Sequence, residues 1–378
     1  MTKNNKICLL LLVFVLASSA FAEVSDEELK RIRIYELKQG RVSMRLTNWG
    51  ASIMSLILPD KNGNLADVHL EYYSIKDYTT NTTNFGAIVG RVANRIKGAQ
   101  FTLNGTVYKL VVNYGGNNSI HGGSKGFADV VWNVDSYKPE GPNPSITFSY
   151  RSFDGEQGFP GDLISTVTYN LNVKHNSGVT MLGITMKARA LNKATPVNLV
   201  PHDFWNLGGH DSGDILGAKV QIFGSQITVV DSQNIPNGEF ASVKGTPYDF
   251  LKPTTVGSRI SQVGRGYDIN YVLDGEGKGK KKMKLAAIAQ DEKSGRVMEV
   301  FTNAPGIQFY TANGVQDVKG KGGFVYQPHS ALCLETQAFP NSVNHPNFPS
   351  TIVTPENPYE HYMFMKFSTK APPAFSQS

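Results

Sequence analysis

The run Arg41-Val42-Ser43-Met44-Arg45-Leu46-Thr47 puts Val42, Met44 and Leu46 on one side of an extended chain and polar residues on the other. A strict period of two marks a strand with one face in a core and one face wet. Ser145-Ile146-Thr147-Phe148-Ser149-Tyr150 repeats the pattern, and Leu182, Ile184, Met186 and Ala188 share one face of a third run. Lys284-Leu285-Ala286-Ala287-Ile288 follows it more loosely. Turn formers separate such runs at Pro59-Asp-Lys-Asn-Gly63, Leu103-Asn-Gly105, Asn113-Tyr-Gly-Gly-Asn-Asn118, Pro236-Asn-Gly238 and Asp274-Gly275. Short spacing with this punctuation predicts an all-β sandwich or barrel. Helical signals are few; Ser25-Asp-Glu-Glu28 has the pattern of a capping box for one short turn. Helices and strands do not alternate, which argues against an α/β fold.

The 378 residues include 20 Phe, 16 Tyr and 3 Trp and are 40% hydrophobic, so disorder is excluded as the main state. Neither a Gly-X-Y nor a heptad period is present. No linker or internal repeat divides the chain, and residues 23–378 are expected to form one domain. Residues 1–22 read differently. A basic start with Lys3 and Lys6, an apolar run from Ile7 to Ala17 and the site Ala20-Phe21-Ala22 describe a cleaved signal peptide. The apolar run is too short for a membrane anchor, which needs about 20 residues. A secreted protein with no membrane association after cleavage is therefore expected.

Loss of Lys3 and Lys6 lowers the formal charge from +6 to +4, a mild excess. Lys278, Lys280, Lys281, Lys282 and Lys284 cluster in a Gly-rich stretch. No nucleic-acid motif accompanies them, so a solvated turn is expected and no nucleic-acid partner. Cys8 falls in the signal segment, and Cys333 is left in an apolar run as a buried small hydrophobe without a disulfide partner. Asn81, Asn104 and Asn117 each begin an Asn-x-Ser/Thr sequon, which suits an exported glycoprotein.

Several polar residues sit inside apolar or glycine-framed segments, where burial is costly unless a partner meets them. His202 follows Val197-Asn-Leu-Val-Pro201 and precedes Asp203-Phe-Trp205, and Glu335 follows Ala331-Leu-Cys-Leu334. Asn94 and Arg95 follow Gly90-Arg-Val-Ala93, and His121 enters Gly122-Gly123. Asp268 stands in Gly266-Tyr-Asp-Ile-Asn270 and Gln308 in Pro305-Gly-Ile-Gln-Phe-Tyr310. Singly, each suits a structural role: a core histidine, a solvated acid, an arginine on turn carbonyls. Together, two His, Asp, Glu, Gln, Asn and Arg with nearby aromatics suit a neutral polyhydroxyl ligand. No phosphate-cradling loop occurs, and neither HExxH nor CxxC is present, so no cofactor and no metal are expected.

Eight segments carry a more specific likeness. They are Asn84-Phe-Gly-Ala-Ile-Val-Gly-Arg-Val-Ala-Asn94-Arg95-Ile96, Ser119-Ile-His121-Gly-Gly123, Gly155-Glu-Gln-Gly-Phe-Pro-Gly-Asp-Leu163 and Pro196-Val-Asn-Leu-Val-Pro-His202. Gly245-Thr-Pro-Tyr-Asp-Phe250, Gly266-Tyr-Asp268, Pro305-Gly-Ile-Gln308-Phe-Tyr310 and Leu334-Glu335-Thr-Gln-Ala-Phe-Pro-Asn-Ser-Val-Asn-His345 follow in order. The chain resembles the aldose 1-epimerase (mutarotase) family of the galactose mutarotase-like group over residues 40–365.

The resemblance implies a large antiparallel β-sandwich with few short helices, and a small-molecule sugar as partner. It implies interconversion of the α and β anomers of free hexoses such as glucose and galactose, without a cofactor. Glu335 would be the general base and His202 the general acid, with Asn94, Arg95, His121, Asp268 and Gln308 holding the sugar. A monomer is expected, with a dimer as the alternative. Asp203 departs from the family, which commonly has a small polar residue there. On a strand Asp203 points away from His202, yet its charge would raise the His202 pKa through space and weaken the acid. Pro201 removes a backbone donor beside it. The alternative function is a weak or inactive sugar-binding protein on the same scaffold. A hexose-6-phosphate epimerase would need more basic residues at the rim; a glycoside hydrolase needs two carboxylates flanking the bond, for which Asp268 and Glu335 could be proposed, but a His in the matching role is the better fit.

Overall fold

The computed structural model describes residues 24–80, 82–174, 178–279 and 281–369. The expected signal segment 1–22 and the sequon residue Asn81 lie outside the described residues. The architecture is antiparallel β throughout its sheets. The largest sheet has nine strands in the order Asn133–Lys138, Ser145–Ser152, Leu163–Lys174, Val179–Ala190, Tyr359–Thr369, Arg296–Thr302, Lys284–Gln290, Lys219–Ile222 and Thr254–Thr255. A four-stranded sheet holds Ile34–Gln39, Val42–Thr47, Ser52–Pro59 and Leu65–Asp67 in sequence order. A five-stranded sheet runs Pro236–Ser242, Gln226–Val230, Asp268–Val272, Gly306–Tyr310 and Cys333–Gln337.

The alternating runs fall where the period of two places them. Val42, Met44 and Leu46 are buried on one face, as are Leu182, Ile184, Met186 and Ala188 on another strand. One continuous core joins side chains of all three sheets, among them Leu46, Ile184, Met365, Ile269 and Phe309. Burial of each such large side chain stabilises the fold by about 1.5–3 kcal/mol. Two α-helices are described, Asp26–Arg31 and Ile75–Thr80. Ser25 caps the first, its hydroxyl accepting from Glu28 N–H while the Glu28 carboxylate accepts from Ser25 N–H.

The five-stranded sheet positions the functional residues. Register places Ile269 opposite Phe309 and Phe309 opposite Leu334, and all three face the core. The intervening residues must then face the other way. Asn270 is opposite Gln308 and Gln308 opposite Glu335, giving a polar row across three strands. A one-residue slip would drive Gln308 and Glu335 into the core, so this register is strongly specified.

Two expectations need correction or refinement. Pro236-Asn237-Gly238 does not make a turn; it opens the edge strand Pro236–Ser242. A proline at the first position of an edge strand leaves no ladder bond unmade. The actual turn lies just before it, where Asn234 N–H donates to Asp231 O and Asn234 has φ of 58°. The lysine-rich stretch connects the five-stranded to the nine-stranded sheet, with Lys278 bridged to Met283. Lys278, Lys281 and Lys282 are exposed, and Lys281 Nζ lies 4.1 Å from the Tyr362 ring centre.

Candidate active site

His202 and Glu335 meet from two directions. Backbone bonds clamp His202 on both sides, its N–H donating to Ala87 O at 2.9 Å and its carbonyl accepting from Gly86 N–H at 2.9 Å. Glu335 sits within Cys333–Gln337 and is not the solvated strand-end acid its sequence position suggests. The His202 Nε2 to Glu335 Oε1 separation is 3.7 Å, and their side chains are only 10% and 4% exposed. That separation is beyond hydrogen-bond range, so each group stays available to a ligand.

The other five sequence-selected residues join this pair in one connected cluster. Arg95 Nη2 donates to Asp268 Oδ2 at 2.8 Å, and Gln308 Nε2 donates to Asp268 Oδ1 at 2.6 Å. Asn94 Oδ1 accepts from the Arg95 backbone at 2.9 Å, and Asn94 N–H meets His121 Nδ1 at 3.3 Å. The His121 ring lies edge-on to His202, with centres 5.0 Å apart. Gly122 makes the approach of His121 possible. At φ of +89° it takes a left-handed conformation, and a Cβ there would stand 1.9 Å from Gly90 O.

Burial dominates the electrostatics. It pushes the Glu335 carboxyl up to about 8, reinforced by the Asp268 and Asp203 carboxylates and opposed by Arg95. It also pushes the His202 imidazole down to about 4, against a weaker opposing pull from Asp268. His121 is held well below the usual histidine range by burial, with His202 and Arg95 adding to it. Burial works against the Arg95 guanidinium too, but Asp268 outweighs it and holds the charge. Asp203 does not raise His202 as expected. Its carboxylate faces His69 on the other side of the chain, at 3.3 Å from Nε2.

Several contributors went unselected in the sequence. Gln337 Nε2 donates to Gln308 Oε1 at 3.1 Å and to Asn270 Oδ1 at 3.0 Å. Asn270 and Gln337 stand two residues after Asp268 and Glu335, so the period of two could have found both. The rim has no such signal. Tyr114 lies under the Arg95 guanidinium at 4.8 Å and donates its hydroxyl to Gln233 O. Gln233 also accepts from Asn118 Nδ2 at 3.0 Å and donates to Gly115 O at 3.0 Å, which latches loop 113–118 to loop 231–234. Among the described residues no cluster of three metal-ligating side chains is found. Four buried atoms of the site have no partner among them: His202 Nδ1, Arg95 Nε, Asn270 Nδ2 and Gln337 Oε1. Unpaired buried donors and acceptors are costly and suit a ligand rich in hydroxyl groups.

The family model for aldose 1-epimerase matches residues 33–366. The chain belongs to the aldose 1-epimerase family. Galactose mutarotase of Sus scrofa is 40% identical over 336 residues, covering 88% of this chain and 93% of that protein. Aldose 1-epimerase of Escherichia coli K12 is 32% identical over 309 residues, covering 80% and 85%. A solved GalM/aldose epimerase homologue from C. elegans superposes with a TM-score of 0.80 at 27% identity, covering 89% of this chain and 99% of that one. Galactose 1-epimerase from Lactobacillus acidophilus NCFM, at 22% identity, shares the fold with a TM-score of 0.74 and covers 89% and 98%. This member of the aldose 1-epimerase family is thus an enzyme of the carbohydrate epimerases, an isomerase with the mutarotase fold.

Proposed function

We propose that the protein interconverts the α and β anomers of free hexoses such as glucose and galactose, with Glu335 as general base and His202 as general acid. The observation that carries this reading is the buried His202–Glu335 pair, 3.7 Å apart and backed by Asp268, Arg95 and Gln308. Glu335 takes the proton of the C1 hydroxyl as the C1–O5 bond breaks. The bond's electron pair goes to O5, which receives the proton of His202, and C1 becomes an aldehyde. Rotation about C1–C2 turns the other carbonyl face to O5. O5 then returns its proton to His202 as it attacks C1, and Glu335 gives its proton back to the new hydroxyl. No proton is gained or lost over the cycle. Asp268, Arg95, Gln308, Asn94 and His121 would hold the remaining hydroxyls, and their fixed geometry spares reorganisation during the reaction.

The pair carries one proton between its limbs near 4 and 8. Those limbs rest the proton on Glu335, so ring opening proceeds from the less populated one-proton form, in which the proton has crossed to His202 and Glu335 is the free base. A bell-shaped kcat/KM profile follows, falling below about 4 where both groups are protonated and above about 8 where neither is. Polarimetry of freshly dissolved α-D-glucose and α-D-galactose tests the reading. The expected result is equilibration well above the buffer rate, lost in His202→Ala. Binding of the sugar to folded protein without acceleration would instead make it a sugar receptor on this scaffold. We also propose export, supported by the pattern of residues 1–22 and by the exposure of Asn104 and Asn117. N-terminal sequencing of the protein from a secreting host would show cleavage after Ala22, and an intact N-terminus would reject it.

A further inference from the structure

We propose that Asp203 and His69 form a buried positioning pair for this reaction, the Asp203 carboxylate setting the proton balance of the His202–Glu335 couple from the far face of the chain. The inference rests on the acid–base roles given above. Asp203 follows His202, so alternation turns its side chain away from the pocket and into the inter-sheet core. It is 2% exposed, and Oδ1 lies 3.3 Å from Nε2 of the fully buried His69. The His69 ring packs edge-on against Trp205 at 4.9 Å. Asp203 Oδ2 and His69 Nδ1 have no partner among the described residues. A buried carboxylate with one imidazole beside it is a poor way to stabilise a core, since apolar side chains of similar size generally do as well or better.

The backbone places this charge next to the reacting pair. Leu70 N–H donates to Phe204 O at 2.9 Å, which ties the segment to the chain carrying His69. Trp205 and Leu332 exchange backbone bonds of 3.0 and 2.9 Å, which ties it to the start of the strand carrying Glu335. Asp203 therefore lies between His69 and Glu335. The groups acting on Glu335 are Asp268, Arg95 and Asp203, with His202 beside it and His121 behind that ring. Cys333 on its own strand and Tyr310 on the neighbouring one complete the set. Arg95 is already paired with Asp268. Asp203 itself is faced by His69, and its charge reaches Tyr169 and Cys333. Of the two carboxylates acting on Glu335, Asp268 is bound by Arg95 and Asp203 is not, and like charge makes Glu335 hold its proton more tightly.

Asp203→Asn removes the charge and keeps a group able to bond His69. Adjacent strands lie about 4.8 Å apart, which sets carboxylates on opposite faces roughly 9 Å from each other. Coulomb interaction at that distance, with an effective dielectric near 20 and the His69 ring offsetting part of it, gives a shift of about half a pH unit to one unit. The kcat/KM profile of Asp203→Asn is expected to keep its acid limb and to move its alkaline limb down by that amount. An alkaline limb superimposed on that of the wild type, with only a lowered unfolding midpoint, would overturn the proposal and leave the pair a structural one. If the single variant does not fold, His69→Phe/Asp203→Leu replaces the pair with apolar groups, and its alkaline limb is read in the same way. Glu335→Gln separates the two readings: turnover in that variant defeats the acid–base assignment itself, whereas an inactive Glu335→Gln beside an unmoved Asp203→Asn limb defeats only this inference.

Discussion

Glu335→Gln also probes the pocket without asking for turnover. Burial, and then the Asp268 carboxylate, raise Glu335 to about 8 in the folded protein, while glutamate in an unfolded chain titrates near about 4.3. Below that lower value both states hold the proton, and the wild type has its full stability. Between the two values the unfolded chain ionises and the folded protein does not, so stability falls as pH rises. Above about 8 both are ionised and the loss is complete. Each pH unit in the window is worth about 1.4 kcal/mol, so about 4 kcal/mol is lost between about pH 5 and pH 8.5. Gln has no such titration, and any pH-independent cost of its amide cancels when two pH values are compared. Urea unfolding of both proteins at those two pH values measures the difference directly. The stability of Glu335→Gln relative to the wild type should rise by about 4 kcal/mol from the lower pH to the higher. Parallel curves would mean that Glu335 ionises freely in the folded protein, and the one-proton account of the pair would fail with it.

Arg91→Ala should lower folding stability by about 3–5 kcal/mol in urea unfolding, because the buried guanidinium donates to Pro160 O, Gly161 O, Thr195 Oγ1 and Phe153 O as well as to Ser152. A loss under about 1 kcal/mol would show that these carbonyls find other donors. Gly122→Ala should cost at least about 2 kcal/mol and raise KM, since its Cβ would meet Gly90 O and force the loop holding His121 to shift. Unchanged KM in that variant would separate the loop from sugar binding.

The strands were legible because burial on one face writes a period of two into residues such as Val42, Met44 and Leu46. Pro236-Asn237-Gly238 misled because its composition is that of a turn, and an edge strand tolerates what a central one would not. The seven candidate residues were chosen through motifs, and the structure gathers them at distances no motif contains. Asn270 and Gln337 could have been added from alternation alone. His69 could not: it stands 134 positions from Asp203, and nothing local announces that the two share a core. The alternation of His202 and Asp203 did place the carboxylate on the far face. What lay there, and that burial would lower His202, depended on packing between distant segments.

The latch through Gln233 divides the pocket's labour. Glu335, Gln308 and Asp268 stand on paired strands whose register ties each to the others. Tyr114, Gly115, Asn118 and Gln233 stand on two loops held to each other by a few hydrogen bonds. Loops accept insertions and exchanges that a sheet cannot. The rim beside Arg95 can therefore be rewritten only by changing the two loops as a matched set, while the paired strands behind it stay as they are. Altering one loop alone would unfasten the other and loosen Arg95 with it.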